Sequence, residues 1–398
     1  MISERVKKIK SSPTLALAAQ AQEMIAKGED VISLSVGEPD WNTLSDAIEG
    51  AIEAIHQGKT KYAPSNGYPS LRKAIAKQFK DDFGLEFSAD EVTVSAGGKF
   101  ILYSALQSIC NPGDEVLVLA PYWVSYPTMI EMSEGVPKFC ICEEKNGFKP
   151  TAQDLKNALT SKTKALILNF PSNPTGASLN RKELEDIVQV VEQFPNLIVI
   201  TDDIYNRLIF DGSRVAPHIL QIAPQLRSRT IIVNGASKSY SMTGWRVGWA
   251  LGPKEVIQAM TKLQSQTVSA AASFSMLGVQ RVMENGEQGL SKKVALLKSR
   301  CSKAVAQIRA IKGLSVVEPE GAFYLWVNIK DVLNKKSQGE AIGTSSKFSQ
   351  LLLAQEKVAV VPGIEFGMEG YFRMSFALDE QRILEAITRL SHFVGGLS

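Results

Sequence analysis

Hydrophobic positions along the chain fall into two alternating kinds of segment. Short, largely apolar runs stand at residues 92–95, 115–119, 165–169, 197–201 and 230–234. Runs this apolar suit strands covered on both sides. Between them lie segments whose apolar residues recur every three or four positions, such as 182–191, as crossover helices require. The alternation predicts an α/β fold, a mostly parallel sheet sandwiched by helices. Further on, 288–312 predicts a long helix, 321–327 and 358–361 predict strands, and 380–393 a closing helix. This second run predicts a smaller α+β domain joined by the N-terminal segment. The expected division is a large domain at 44–284 and a small one from 1–43 and 285–398.

In open α/β sheets ligands bind beyond the carboxyl ends of the strands, where loops present side chains without disturbing the core. Four polar loops follow four of the apolar runs: Ala96-Gly97-Gly98-Lys99, Phe170-Pro171-Ser172-Asn173-Pro174-Thr175-Gly176, Asp202-Asp203-Ile204-Tyr205 and Gly235-Ala236-Ser237-Lys238. They are expected to converge on one edge of the sheet. Taken singly each has an ordinary reading: a tight glycine turn, Asn-Pro turn chemistry, a capping aspartate and a solvated lysine.

Composition narrows the classes of partner. Lys+Arg 44 against Asp+Glu 41 leaves a formal charge of +3, too balanced to make nucleic acid or an anionic membrane the default partner. No stretch approaches the roughly 20 apolar residues needed to span a bilayer, and the basic first ten residues are followed by no signal-peptide core. A soluble, cytoplasmic protein is expected. Four cysteines, Cys110, Cys140, Cys142 and Cys301, are too few and scattered for a disulfide framework. Cys140 and Cys142 share one face of an expected strand, but His56, His218 and His392 show no ligand spacing, so no metal site is expected.

In this order and context the loops resemble the class I and II aminotransferases of fold type I, which use pyridoxal 5′-phosphate. The segment Gly235-Ala236-Ser237-Lys238-Ser239-Tyr240-Ser241-Met242-Thr243-Gly244-Trp245-Arg246-Val247-Gly248 fits the family's lysine signature. The likeness runs from Val36-Gly37-Glu38-Pro39-Asp40 to Phe372-Arg373-Met374-Ser375-Phe376, and is nearest to the bacterial aspartate and prephenate aminotransferase branch. It implies a large domain whose mostly parallel sheet has seven strands. It also implies that Lys238 carries the cofactor as a Schiff base and, once displaced by substrate, moves the proton at Cα. A free lysine, with a pKa of roughly 10.4, is a poor base at neutral pH, so such a role requires a depressed value.

The remaining roles implied by the resemblance follow the cofactor's shape. Asp202 would face the ring nitrogen and keep it protonated, and Tyr205 and Asn173 would hydrogen-bond the ring oxygen. Trp123 would stack on the ring. Gly97 and Gly98, at a helix N-terminus, together with Lys99, Ser237 and Arg246 would surround the cofactor, with its phosphate at the glycines and Arg246. Tyr62, in Lys61-Tyr62-Ala63-Pro64, matches a tyrosine that reaches the phosphate from the other subunit, implying a homodimer with shared sites. Arg373 would grip the substrate α-carboxylate bidentately, with Gly37 beside it.

Relatives that accept aspartate, glutamate or prephenate bind the second carboxylate through residues placed like Lys99 and Thr14. The resemblance thus implies an amino-group exchange between aspartate or glutamate and a 2-oxo acid, in ping-pong fashion through the pyridoxal and pyridoxamine forms. Prephenate stays open as a substrate. Phe100, Asp203 and Ala270 depart from the commoner glutamine, glutamate and asparagine. A β-lyase or decarboxylase would share fold and cofactor, but Arg373, Thr14 and Lys99 together favour transamination. A ligand-sensing protein without turnover is disfavoured by the filled catalytic positions, and a nicotinamide dehydrogenase by the lack of Gly-x-Gly-x-x-Gly after an early strand.

Overall fold

Short, largely apolar segments form the seven strands of the central sheet: β1 (Val92–Ser95), β2 (Glu115–Ala120), β3 (Val136–Ile141), β4 (Thr163–Leu168), β5 (Ile198–Asp202), β6 (Thr230–Gly235) and β7 (Gly248–Leu251). These come from a computed structural model that describes the chain apart from residues 8 and 10–12 and the side chains of 4, 5, 13–16 and 18. The strand order is β1-β7-β6-β5-β4-β2-β3. All neighbours are parallel except β7, which runs antiparallel to both β1 and β6.

Alternation of side chains sends the two halves of each strand's apolar set to opposite faces. Val94, Leu117, Leu166, Val199, Ile232 and Trp249 join one buried cluster, whereas Val116, Ile167, Ile200, Ile231 and Ala250 join another, beneath the helices Gly98–Ile109 and Lys254–Ser265. The helix Arg181–Val191 shows why the crossovers form where they do. Asn180 and Glu183 close a capping box at its start, and Leu184, Ile187, Val188 and Val191 form its buried stripe. The cap is worth about 1 kcal/mol and each buried aliphatic side chain about 1.5–3 kcal/mol.

A second, antiparallel sheet joins Val361–Pro362, Tyr371–Ser375, Tyr324–Asn328 and Ser315–Val316 in that order. Its core is shared with the helices Leu290–Arg309, Ser345–Glu356 and Glu380–Gly395. The N-terminal segment reaches it through Ile32–Ser33, which pairs in parallel with Val358–Ala359. Two strands differ from those the sequence pattern predicts. The strand expected at 358–361 is two pieces, since Val358–Ala359 pairs with Ile32–Ser33 whereas Val361–Pro362 pairs with the strand Tyr371–Ser375. The strand expected from 321 begins at Tyr324: Gly321 bridges Ile209, and Ala322, at φ 56°, donates its N–H to the Leu208 carbonyl at 2.8 Å. Among the described residues no helix is long and apolar enough to cross a membrane.

Candidate active site

The carboxyl ends of β1, β4, β5 and β6 open into one cavity of about 310 Å³. Asp202 ends β5, and its carboxylate accepts a 2.7 Å hydrogen bond from the Tyr126 hydroxyl and a long one, 3.4 Å, from the Ile204 N–H. Burial pushes its carboxyl up to about 6, with the Tyr126 bond pulling the other way. Asn169, just past β4, fixes the neighbouring loop: its amide donates to the Asp202 carbonyl at 2.8 Å, and its side-chain oxygen accepts the Asn173 N–H at 3.1 Å. Asp203 is buried too and lies 3.4 Å from His218. The Nδ1 of His218 accepts the Leu220 N–H, which leaves its proton on Nε2, and burial depresses the imidazole to about 3.

Lys238 sits in the single helical turn Ala236–Ser239 that follows β6 directly. Its ammonium donates to the Gly37 carbonyl at 2.5 Å. Burial pushes the amine down to about 8; the positive charges of Arg373, Arg246 and Lys99 push the same way and Glu38 opposes them. Gly97, at φ 89°, turns the chain from β1 into the helix Gly98–Ile109. A Cβ on Gly97 would stand 2.4 Å from Nη2 of Arg246, so the guanidinium lies directly against this helix start. Lys99, one residue into the helix, holds its ammonium 5.0 Å from the Trp123 ring centre.

Arg373 comes from the other sheet, on the strand Tyr371–Ser375. Its guanidinium donates to Oδ1 of Asn173 at 2.9 Å and to the Ser35 carbonyl at 2.6 Å, and lies 4.4 Å from the Tyr324 ring centre. Its Nε is buried with no hydrogen-bond partner among the described residues. The Tyr205 hydroxyl meets that of Tyr324 at 2.8 Å.

Of the expected site residues, Gly37, Gly98, Lys99, Trp123, Asn173, Asp202, Tyr205, Ser237, Lys238, Arg246 and Arg373 all line this cavity. Gly97 lies behind Arg246. Tyr62 stands apart, with 98% of its surface exposed. The side chain of Thr14 falls outside the described residues. The model of the family described as "Aminotransferase class I and II" matches residues 29–390. The chain belongs to this family.

The aminotransferase is 43% identical, over 100% of its length and 97% of the other protein's, to the "Probable aspartate/prephenate aminotransferase" of Rickettsia felis. It is 40% identical to the "Aspartate aminotransferase" of Bacillus sp. (strain YM-2), covering 99% of this chain and 98% of that one. Among solved structures, the aspartate aminotransferase from Rhizobium meliloti superposes with a TM-score of 0.96 at 38% identity, with 100% of both chains covered. That of Thermus thermophilus with maleate gives 0.91 at 35% identity, with 99% of both chains covered.

Enzymes of this family move amino groups between amino acids and 2-oxo acids with pyridoxal phosphate, and the aminotransferase uses that cofactor. The residues present fit it. A buried amine brought down to about 8 is close to the state in which it attacks an aldehyde. A buried carboxyl at about 6 lies in the range where a cationic ring nitrogen, by direct ion pairing, holds it ionised. A helix N-terminus with a guanidinium against it is a ready anion cradle.

Sequence reasoning missed Tyr126, Asn169 and Tyr324, all of which line the cavity. Asn169 closes the expected run 165–169 and carried a usable signal, a polar residue at a strand's carboxyl end. Tyr126 and Tyr324 carried none: Tyr324 stands between Phe323 and Leu325, and Tyr126 follows Tyr122, Trp123 and Val124 with no polar motif of its own. The departures Phe100 and Ala270 do not line the cavity: Phe100 faces an adjoining hollow with Tyr103, Tyr122 and Met129, and Ala270 lies on a surface with Ile52 and Phe274.

Proposed function

We propose that the enzyme exchanges an amino group between aspartate or glutamate and a 2-oxo acid, with one cation for each carboxylate of the donor. The observation that carries the reading is that Lys238, Asp202, Arg373 and Lys99 line one cavity. Arg373, with its planar fork and free Nε, takes the α-carboxylate, and Lys99 takes the second carboxylate. Thr14 is assigned beside Lys99 on the resemblance alone. The relatives named aspartate/prephenate aminotransferases bring prephenate in as a further oxo acid.

In this reading the cofactor supplies an electron sink for the pair left when the Cα–H bond breaks. Lys238 takes that proton through its neutral Nζ. Asp202, held by Tyr126, keeps its negative charge toward the ring nitrogen. Tyr205 and Asn173 hold the ring oxygen, Trp123 covers the ring face, and Gly97, Gly98, Ser237 and Arg246 hold the phosphate. Lys99 serves both cofactor and substrate, and Gly37 lets the backbone approach the substrate. The two half-reactions share the site in turn, as a ping-pong enzyme requires.

The proposal extends to a cytoplasmic homodimer in which Tyr62 of the partner subunit completes each phosphate site. Its support is an apolar surface: Ile48, Ile52 and Ile55 on the helix Ser45–His56 and Phe274 on the helix Ser273–Glu284 are all exposed. These helices pack closely, since a Cβ on Gly278 would stand 2.6 Å from the Ala47 carbonyl oxygen. The division at residues 44 and 284 is supported by the two largest cores, one on a face of the central sheet and one on the antiparallel sheet, the second also taking in Tyr205, Leu208 and Phe210.

The test is an absorbance titration of the cofactor-loaded enzyme. Aspartate and glutamate are expected to convert the visible band of the bound cofactor to the amine form, with recovery on adding 2-oxoglutarate or oxaloacetate. A response to neutral or aromatic donors alone would remove the role of Lys99 and leave transamination standing.

A further inference from the structure

Two phenol hydroxyls meet inside the cavity, from different sheets. Tyr205 lies just past β5, whereas Tyr324 begins the strand Tyr324–Asn328, and their oxygens are 2.8 Å apart. The ring of Tyr324 is held from several sides: Arg373 lies over it, Phe323 packs against it at 4.7 Å, and a Cβ on Gly37 would stand 2.3 Å from its hydroxyl. Among the described residues, Tyr205 is the one hydrogen-bond partner of that hydroxyl. Burial keeps both phenols above their ordinary range, so the pair carries two protons at neutral pH.

One contact between two hydroxyls consumes one of those protons and leaves the other to be satisfied elsewhere. Were Tyr205 the donor, its proton would be spent inside the pair, and that of Tyr324 would be left beside the Gly37 backbone with no acceptor among the described residues. An unsatisfied buried donor is costly. Were Tyr324 the donor, the proton of Tyr205 would be free to bond an oxygen in the cavity, and accepting one hydrogen bond would strengthen the other.

We propose that Tyr324 is a positioning residue for transamination: its hydroxyl donates to Oη of Tyr205 and so commits the Tyr205 proton to the cofactor's ring oxygen. The inference rests on the reading of Tyr205 given above. It assigns to a strand residue of the antiparallel sheet a share in setting the proton affinity of the cofactor linkage at Lys238.

The test compares Y324F, Y205F and the double variant as cofactor-loaded enzymes, without substrate. The readout is the pH midpoint of the bound cofactor's visible absorbance, together with the Kd for succinate, an unreactive dicarboxylate. Y324F removes a single oxygen from a ring that keeps its packing. A weaker Tyr205 donor leaves the ring oxygen freer to hold the neighbouring nitrogen's proton. Y324F is therefore expected to raise the midpoint by about half a pH unit. Y205F should raise it further, and the double variant should match Y205F. Succinate should bind Y324F within about twofold of the parent enzyme, since the ring beneath Arg373 is retained. An unmoved midpoint in Y324F while Y205F shifts overturns the proposal and leaves the Tyr205 reading intact. A double variant whose shift is the sum of the singles also overturns it, because Tyr324 would then act independently. If Y205F itself leaves the midpoint in place, the reading of Tyr205 fails and the proposal falls with it.

Discussion

Burying Lys238 beneath Gly37 and beside three other cations lowers its amine to about 8, from an ordinary value of 10.5. Two consequences follow at this one residue. The first concerns capture of the cofactor: only the neutral amine attacks an aldehyde, so attachment of pyridoxal phosphate to the cofactor-free enzyme should quicken with rising pH and level off above about 8. Stopped-flow absorbance across that range checks it, and a rate still climbing toward pH 10 would contradict the depressed value. The second concerns stability. The folded state binds the lysine's proton more weakly than the unfolded chain does. The resulting penalty is full below about pH 8 and fades as pH rises toward 10.5. Replacing the amine by a chain of similar volume removes the penalty, so K238M should stabilise the cofactor-free enzyme at pH 7 by on the order of 3 kcal/mol. Urea denaturation should show the difference closing as pH approaches the unfolded value; a gap that widens with pH would refute the assignment.

At the scale of elements, the site depends on β7 lying against the turn that leaves β1. A Cβ on Gly248 would stand 2.2 Å from the Gly98 nitrogen and 2.4 Å from the Gly97 carbonyl carbon, backbone atoms that cannot rotate aside. G248A must therefore separate β7 from β1 or displace the start of the helix Gly98–Ile109. A cost of about 2–4 kcal/mol is expected, and with it a faster loss of cofactor on dialysis, because the displaced helix start is the proposed phosphate cradle. Unchanged thermal stability and cofactor retention would show that the contact is not needed. β7 is also the strand the hydropathy pattern passed over, because it is only four residues long and runs straight on from the lysine motif. The polar loops after β1, β4, β5 and β6 were legible for the opposite reason: each interrupts an apolar run with residue types that strands avoid. Tyr126 and Tyr324 were not legible, since their rings fit the apolar pattern around them. Their hydroxyls find partners 76 and 119 residues away, Asp202 and Tyr205, which only the fold brings close.

For the whole molecule the question is whether one chain is a complete catalyst. Tyr62 is 98% exposed and lines no part of the cavity, although the resemblance assigns it to the cofactor phosphate. A single chain that owned its whole site would leave this match unexplained, whereas two chains joined across Ile48, Ile52, Ile55 and Phe274 would exchange tyrosines. Complementation decides between them. K238A lacks the proposed base but keeps Tyr62, and Y62A lacks the tyrosine but keeps the proposed base. If sites are shared, a hybrid dimer has one site with Lys238 from the Y62A chain and Tyr62 from the K238A chain, and its other site carries both lesions. Equal co-expression places half the chains' pairings in hybrids, so about a quarter of all sites should be intact. Turnover of the mixture should then exceed the mean of the two separate variants. If each chain uses its own Tyr62, every site retains a lesion and the mixture shows only that mean. Adding I52D to both variants supplies the control, because a charge placed on the exposed apolar surface should break the pairing and abolish any gain that arises from shared sites.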